Sequence, residues 1–231
     1  MLDKLVRDLN KLKNPQKAKL LARFFKTGKG EYGEGDIFFG LTVPQQRSIA
    51  KRYSDLTVPD LQELIDSPIH EYRLISLLII VEKYKKGNFK EKEKIVDFYL
   101  KNTSQINNWD LVDLSAEKIL GDYLMDKDKS IIYKLTESAN IWERRISILT
   151  TFQFIKNKKY DDTLKISEIL LKDKHDLIHK AVGWMLREIG KRDQKIEEIF
   201  LQKYYKIMPR TMLRYAIERF NESKKKYYLN K

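Results

Sequence analysis

Arg145-Ile-Ser-Ile-Leu149 is one of five short segments that decide the fold, because the same pattern returns along the chain. Each segment begins with a charged residue and continues with mostly small or apolar ones. The other four are Arg73-Leu-Ile-Ser-Leu77, Asp110-Leu-Val-Asp-Leu114, Lys180-Ala-Val-Gly-Trp184 and Arg214-Tyr-Ala-Ile-Glu218. Successive first positions are 37, 35, 35 and 34 residues apart. A period near 35 residues predicts an all-α superhelix, a solenoid of HEAT/ARM-like helical repeats; chance similarity among amphipathic helices is the alternative.

Helical periodicity supports this fold along the whole chain, and the two-residue alternation of strands appears nowhere at useful length. Proline after a capping residue predicts helix starts at Asn14-Pro15, Thr42-Val43-Pro44 and Thr57-Val58-Pro59. The helix that begins at Pro15 is expected to run through Phe25. Further helices are predicted over 69–86, 90–103, 109–125, 128–138, 141–157, 161–172, 176–190, 193–207 and 209–222.

Composition excludes several classes of protein. The chain has 231 residues, of which 42% are hydrophobic, with nine Gly and five Pro, so it can bury a core and is too apolar to be disordered. Cysteine is absent, which rules out disulfides, thiol catalysis and Cys-type zinc sites. The first 13 residues alternate charged and apolar positions, unlike a signal peptide or membrane anchor. We expect one domain over 1–231, monomeric, without a membrane partner, in the bacterial cytosol or nucleoid.

The charge distribution predicts a polyanionic partner. The net charge is +13, and residues 180–231 hold 14 basic and 6 acidic residues, so most of the excess lies at that end. Nucleic acid fits best, with an anionic membrane second and a generally lysine-rich proteome as the plain alternative.

The first positions of the repeats are candidate contacts to this polyanion. If they form a ladder on one surface, the four basic members are spaced to follow a duplex phosphate backbone. The five first positions are Arg73, Asp110, Arg145, Lys180 and Arg214.

Asp113 is an anomaly in the repeat. The position three residues after the first is otherwise small or apolar, so a carboxylate there must be paired, protonated or functional. On a helix, Trp109 and Asp113 share a face, and an aromatic ring beside a carboxylate suits a flat cationic ligand. A packed Trp with a helix-capping Asp is the equal alternative. Trp184 falls in a column of leucines, so the repeat register alone predicts a core residue.

Two further motifs point to no ligand. Gly28, Gly30 and Gly33 have the spacing of a dinucleotide-binding loop, but a predicted helix precedes them where that loop requires a strand. We interpret them as a flexible connection between repeats, with Lys26 and Lys29 able to touch phosphates. His175 and His179 have the spacing of a metal-binding pair but no third ligand is evident. No metal and no cofactor are expected.

Four segments resemble the AlkD-like DNA alkylation repair glycosylases, a family of HEAT-like repeats, from about Ala22 to Phe220. They are Asn108-Trp-Asp-Leu-Val-Asp113, Trp142-Glu-Arg-Arg145, His179-Lys-Ala-Val-Gly-Trp-Met-Leu-Arg-Glu188 and Met208-Pro-Arg-Thr-Met-Leu-Arg-Tyr-Ala-Ile-Glu218. The resemblance implies a monofunctional alkylpurine DNA glycosylase, which excises cationic N3- or N7-alkylated purines from double-stranded DNA without drawing the lesion into a base pocket. A non-catalytic HEAT-repeat module that binds damaged or branched duplex DNA is the alternative, and a protein–protein scaffold is a third.

The resemblance also implies roles for matching residues. Asp113 matches the catalytic carboxylate, Trp109 and Trp184 match aromatic residues that flank the deoxyribose of the lesion, and Arg145 matches a phosphate or positioning contact. Lys180 and Arg214 of the repeat column are expected to bind the DNA backbone. The chain departs from the family's best-known branch, which has a Tyr at the position of Phe24 and a shorter segment at 27–36. The path of DNA near the first repeats is therefore expected to differ.

Overall fold

The computed structural model describes residues 1–230, which divide into two compact units, Met1–Ser115 and the residues from Ala116 onward. Within the described residues, no helix is both long and apolar enough to cross a lipid bilayer. The helices of the first unit are α1 (Leu2–Lys11), α2 (Pro15–Phe24), α3 (Val43–Arg52), α4 (Val58–Ile65), α5 (His70–Lys86), α6 (Phe89–Lys101) and α7 (Trp109–Ala116).

The second unit begins with a π-helical turn over Glu117–Gly121 that continues directly from α7. Short 3₁₀ turns at Leu170–Lys172 and Ile217–Arg219 extend two of its helices. Those helices are α8 (Ser130–Thr136), α9 (Ile141–Lys156), α10 (Asp161–Ile169), α11 (Asp176–Gly190), α12 (Gln194–Tyr204), α13 (Arg210–Ala216) and α14 (Glu222–Leu229).

The sequence repeat is a structural repeat. Its five first positions fall near the starts of every second helix, on α5, α7, α9, α11 and α13. In the second unit, α9 packs against α11 and α11 against α13, which forms one helical layer, while α8 and α10 contact each other on the other side. In the first unit, α5 packs against α3, α4 and α6. The predicted all-α fold of helical repeats is confirmed.

Side-chain caps fix where many of the helices begin. Asn14 accepts a hydrogen bond from the Lys17 N–H at 2.9 Å, with Pro15 at the first helical position. Thr57 and Asp60 form a reciprocal capping box at the start of α4. Thr42 is the N-cap of α3. The three helix starts predicted from proline are therefore confirmed. Asn14 and Thr57 each accept a hydrogen bond from an N–H that the helix leaves without a partner. At α3, the Gln45 side chain accepts from the Thr42 N–H at 2.8 Å.

The structure differs from the predicted helices at four places. The predicted helix over 109–125 widens into the π turn, and Gly121 there lies so close to α9 that an added Cβ would stand 2.6 Å from the carbonyl oxygen of Thr150. The predicted helices over 161–172 and 209–222 each end in a 3₁₀ turn. No apolar pattern predicts α14, because only Tyr228 of its eight residues is buried. One domain over the whole chain stays a prediction.

Gly183 allows α11 and α13 to approach closely. A Cβ at this position would lie 2.4 Å from the Met212 carbonyl oxygen and 2.5 Å from the Tyr215 Cβ. Both atoms belong to α13, and a backbone carbonyl cannot move aside as a flexible side chain can. The glycine is therefore required by helix packing, one residue before Trp184.

We expect Gly183→Ala to lower the free energy of unfolding by about 1–3 kcal/mol, because the added methyl group forces the two helices apart. Gly28→Ala is the matched control, since its Cβ would meet only the side chain of Glu31. Chemical denaturation of both variants measures the difference. Equal stability of the two variants would contradict the close packing of α11 on α13.

Glu197 is a buried acid that the fold holds neutral. It is 1% exposed, and its carboxyl group occupies the space beside Gly190, where a Cβ would stand 1.7 Å from its Oε2. Burial, with the nearby charge of Glu198, raises the pKa of Glu197 to about 9, although Arg187 opposes the shift. The folded protein therefore keeps the proton at neutral pH, whereas the unfolded chain releases it.

Because the folded protein keeps this proton and the unfolded chain releases it, the free energy of unfolding falls as pH rises from about 4.5 towards 9. The fall is at most about 1.4 kcal/mol per pH unit. Glu197→Gln, which mimics the neutral acid, is expected to unfold at a higher temperature than the wild type at pH 8 and at the same temperature at pH 4. Thermal melts across this range test it. If the melting temperatures of the two proteins changed with pH in the same way, Glu197 would be ionised in the folded protein.

Candidate functional site

The first candidate residues lie on α7. Asn108 precedes the helix, and its side-chain oxygen accepts a hydrogen bond from the Trp109 N–H at 2.8 Å. Its carbonyl oxygen accepts from the Val112 N–H at 3.2 Å, which makes Trp109 the first helical residue. Trp109 and Asp113 are one turn apart and share a helix face. Both are half-buried, so the structure places an indole and a carboxylate side by side at an accessible face.

The negative charge of Asp113 acts on the phenol of Tyr99, a fully buried residue of α6. Burial raises the pKa of Tyr99, the Ser115 hydroxyl opposes the shift, and Asp113 adds to it. Ser115 donates to the Leu111 carbonyl at 2.5 Å, and its oxygen lies 3.0 Å from the Tyr99 hydroxyl. Since the serine hydroxyl has one hydrogen, Tyr99 is the donor to Ser115. This neutral phenol ties α6 to α7 opposite the carboxylate.

A row of stacked rings holds the indole of Trp109. The Phe25 ring stacks on Trp109 with centroids 5.1 Å apart, and Phe38 stacks on Phe25 at 5.0 Å. His70 stacks on Phe38 at 4.6 Å. Phe24 meets the indole edge-on at 5.9 Å and is 62% exposed. Rings in such arrangements hold one another in a fixed orientation, so the indole plane is set by residues of the first unit.

Four charged side chains form a buried cluster at the start of α7, which we call the His70 network (Asp36, His70, Arg73 and Asp110). His70 Nδ1 lies 3.2 Å from Asp36 Oδ2, and its Nε2 lies 2.9 Å from Asp110 Oδ2. Arg73 Nη2 lies 2.6 Å from Asp36 Oδ1. All four residues are at most 9% exposed. Two cations therefore face two carboxylates inside the protein, which keeps the buried charge balanced.

The network keeps its charges at neutral pH. Burial disfavours the charged imidazole, but the carboxylates of Asp110 and Asp36 outweigh burial and raise the pKa of His70 to about 9. Burial also opposes ionisation of Asp36, yet hydrogen bonding to His70 and the charge of Arg73 hold the pKa of Asp36 below its usual range.

The segment between α2 and α3 is anchored to the start of α5. Glu71 is fully buried, and its carboxylate accepts hydrogen bonds from the backbone N–H groups of Phe39, Gly40 and Leu41 at 2.8–3.2 Å. Ile37 accepts a hydrogen bond from the His70 N–H at 2.9 Å in a single parallel bridge. The same segment supplies Asp36 and Phe38 to the candidate site.

A separate candidate residue, Trp184 on α11, lies in the second unit. Trp184 is half-buried, and its ring packs against Phe152 of α9 with centroids 5.7 Å apart. Its indole N–H donates to Glu188 Oε1 at 3.3 Å, which fixes the orientation of the ring. The core position that the repeat register predicts for Trp184 is not what the structure shows, because part of the indole is accessible.

The predicted charge ladder is wrong for its first three members. Arg73, Asp110 and Arg145 are 3%, 8% and 5% exposed, so they do not form a charged surface. Arg73 pairs with Asp36, and Arg145 donates to the Leu177 carbonyl of α11 at 2.6 Å. They are buried because they lie near the starts of their helices, where neighbouring helices and loops cover them. A phosphate or positioning role for Arg145 stays a prediction.

The last two members of the ladder are accessible. Lys180 Nζ lies 2.6 Å from Asp176, one helical turn away, and its side chain is 38% exposed. Arg214 on α13 is exposed. DNA binding by these two residues stays a prediction.

The two motifs interpreted as having no ligand occupy structural positions. Gly30 lies in the turns between α2 and α3 with a φ of 77°, which confirms a connection between helices. His175 Nδ1 accepts a hydrogen bond from the Leu177 N–H at 3.1 Å, and His179 Nε2 lies 2.5 Å from the Asp173 carbonyl oxygen. Over residues 1–230, no group of three or more His, Asp or Glu side chains is arranged to hold a metal ion.

Comparison with known proteins agrees with this architecture. The family model described as DNA alkylation repair enzyme matches residues 5–220, so the chain belongs to that family. A search of curated proteins found no match.

Solved structures share the fold. A predicted DNA alkylation repair enzyme from Enterococcus faecalis superposes with a TM-score of 0.70 at 16% identity, covering 91% of this chain and 97% of that one. AlkD2 from Streptococcus mutans superposes with a TM-score of 0.60 at 17% identity, covering 89% of this chain and 99% of that one. At such low identity, these likenesses show the fold alone.

Sequence reasoning missed the residues behind the indole. From the sequence, no role in the site is assigned to His70, Asp36 or Phe25. One signal was present: His70, Arg73 and Asp110 are ionisable residues at the starts of helices whose next turns are apolar. Such residues are covered by packing and need charged partners. The sequence did not show that Asp36, 34 residues before His70, supplies one.

Proposed function

We propose that this protein is a monofunctional DNA glycosylase of base excision repair. Its substrates are cationic N3- and N7-alkylated purines in duplex DNA, such as 3-methyladenine and 7-methylguanine. The observation that carries the proposal is the placement of Trp109 and Asp113 on one accessible face of α7. Membership in a DNA alkylation repair family supports it.

The chemistry suits these two residue types. An alkylated purine already carries positive charge, so the glycosidic bond breaks with its electron pair moving to the base, which leaves neutral. The sugar C1′ then carries the positive charge, and water adds there and loses a proton. The carboxylate of Asp113 can stabilise the cationic sugar and orient the water. No acid is needed to protonate the base, and no lysine is needed to form a covalent intermediate, so the product is an abasic site.

The aromatic residues act beside the carboxylate. A ring face attracts a cation, and Trp109 offers an indole whose plane is fixed by its stack on Phe25. Trp184, oriented by its bond to Glu188, is the second aromatic contact in this proposal. Neither indole has to be reordered when DNA binds, which lowers the entropic cost of recognition.

The charge of the protein supports binding to the DNA backbone. The net charge of +13 attracts a polyanion whatever its sequence, so most of the affinity is expected to come from phosphate contacts and to depend on salt. Lys180 and Arg214 are the accessible members of the repeat column and are the contacts we assign first. In this proposal the protein acts as a monomer on double-stranded DNA.

Asp113→Asn is expected to bind a 7-methylguanine duplex as tightly as the wild type but to release the free base at least about 100-fold more slowly, because the amide cannot balance the positive sugar. Single-turnover release of the base and equilibrium binding to the same duplex measure the two effects. Asp97→Asn, an exposed change of equal charge on α6, is the control.

Base release by Asp113→Asn at the wild-type rate would overturn the catalytic assignment. Absence of release by the wild type, with tight and salt-sensitive binding retained, would favour a non-catalytic module that binds damaged or branched duplex DNA. Weak binding that does not depend on salt would favour a protein–protein scaffold.

Arg214→Ala is expected to weaken duplex binding for every sequence and to reduce the slope of log affinity against log salt by about 0.9, the loss of one phosphate contact. The control is Lys195→Ala, which removes an exposed charge from α12, the helix that precedes α13. A salt titration of both variants separates them. Equal slopes for the two variants would show that α13 does not contact the backbone.

A further inference from the structure

We propose that Asp36 and His70 are positioning residues for Trp109. They hold Asp110 to the segment between α2 and α3, and this clamp fixes the indole of Trp109 and the first turn of α7. The inference deepens the proposed glycosylase function and rests on it for its kinetic test only. Neither residue is placed to touch substrate: His70 is 1% exposed and Asp36 is 9% exposed.

The hydrogen-bond geometry requires a charged imidazole. Both ring nitrogens of His70 face carboxylate oxygens, at 3.2 Å to Asp36 and 2.9 Å to Asp110. A carboxylate can only accept, so each nitrogen has to carry a hydrogen, and a neutral imidazole has only one. Only the cationic ring can therefore donate to both Asp36, between α2 and α3, and Asp110 on α7.

Two routes lead from His70 to the indole. The first is covalent, because Asp110 directly follows Trp109 and its clamping holds the first turn of α7 in place. The second runs through rings: Phe25 lies 5.1 Å from both the His70 ring and the indole, and it stacks on the indole at 19° between planes. A change in the charge or tilt of the imidazole therefore reaches Trp109 by two separate contacts.

The remaining polar groups around the clamp come from two elements. Arg73 on α5 pairs with Asp36. The side-chain amide nitrogens of Asn107 and Asn108, just before α7, lie 3.5 Å from the two carboxylate oxygens of Asp36. With His70 protonated, the network has two positive and two negative charges. Loss of the proton leaves one buried negative charge unbalanced, which weakens the hold on Asp110.

The clamp depends on the segment between α2 and α3. Asp36 lies in this segment, and the backbone N–H groups of Phe39, Gly40 and Leu41 donate to the Glu71 carboxylate, which holds the following residues against α5.

Asp60 provides a control outside the clamp. Its carboxylate accepts hydrogen bonds from the N–H and the hydroxyl of Thr57 in the capping box of α4. Its loss therefore lowers the stability of the first unit without changing a contact of His70 or Asp110.

The experiment compares His70→Gln, Asp36→Asn and Asp60→Ala with the wild type. Single-turnover release of 7-methylguanine is expected to fall about 10- to 100-fold in the first two variants, with duplex affinity within about threefold of the wild type. Asp60→Ala is expected to lose stability, because it removes a helix cap, and to keep its rate when assayed well below its melting temperature.

A second readout does not depend on activity. The indole N–H resonance of Trp109, assigned by its loss in Trp109→Phe, is expected to move in His70→Gln and Asp36→Asn but not in Asp60→Ala. In the wild type it is expected to follow a titration with a midpoint near the pKa of His70, about 9. If His70→Gln does not fold, Asp36→Asn and this titration carry the test.

The outcomes separate the two proposals. If the wild type releases no base but the indole resonance responds to His70 and Asp36, the proposed function fails and the clamp stands. An unmoved resonance, or equal loss of rate in His70→Gln and Asp60→Ala, overturns the clamp while leaving the glycosylase intact.

Discussion

Buried cations near the starts of repeat helices need partners, and that constraint organises both units. In the first unit, Asp36 and the Ser67 carbonyl oxygen satisfy Arg73, while Asp36 and Asp110 satisfy His70. In the second unit, the Leu177 carbonyl oxygen accepts from Arg145. An unpaired buried charge costs several kcal/mol, so each pairing fixes a loop or a neighbouring helix as well as an ion. The accessible residue Trp109 directly precedes Asp110, one of these partners.

The repeat made the fold predictable. A period near 35 residues located five equivalent helices, and proline with its capping residue located three more starts. Both signals can be read from one sequence, because they depend on residue spacing and on neighbouring residues rather than on tertiary contacts. The π turn at Glu117–Gly121 packs closely against α9, and this tertiary contact has no sequence signal. Helix α14 buries only Tyr228, so its sequence has no apolar period that would predict it.

The candidate site was predictable only where its residues are near one another in sequence. Trp109 and Asp113 share a face because of their spacing alone. The ladder failed at Arg73 and Arg145 because a charge in a sequence does not show whether neighbouring helices cover it. The pairing of Asp36 with His70 joins residues from separate segments, and no helical period relates them.

The charge balance around His70 has a consequence for how this sequence can diverge. Asp36 supplies one of the two carboxylates that make a cationic ring at position 70 tolerable in the interior. A related sequence that kept only the histidine or only the aspartate would carry an unbalanced buried charge. Positions 36 and 70 are therefore expected to change together during divergence, which makes them a diagnostic pair for sorting relatives into subgroups.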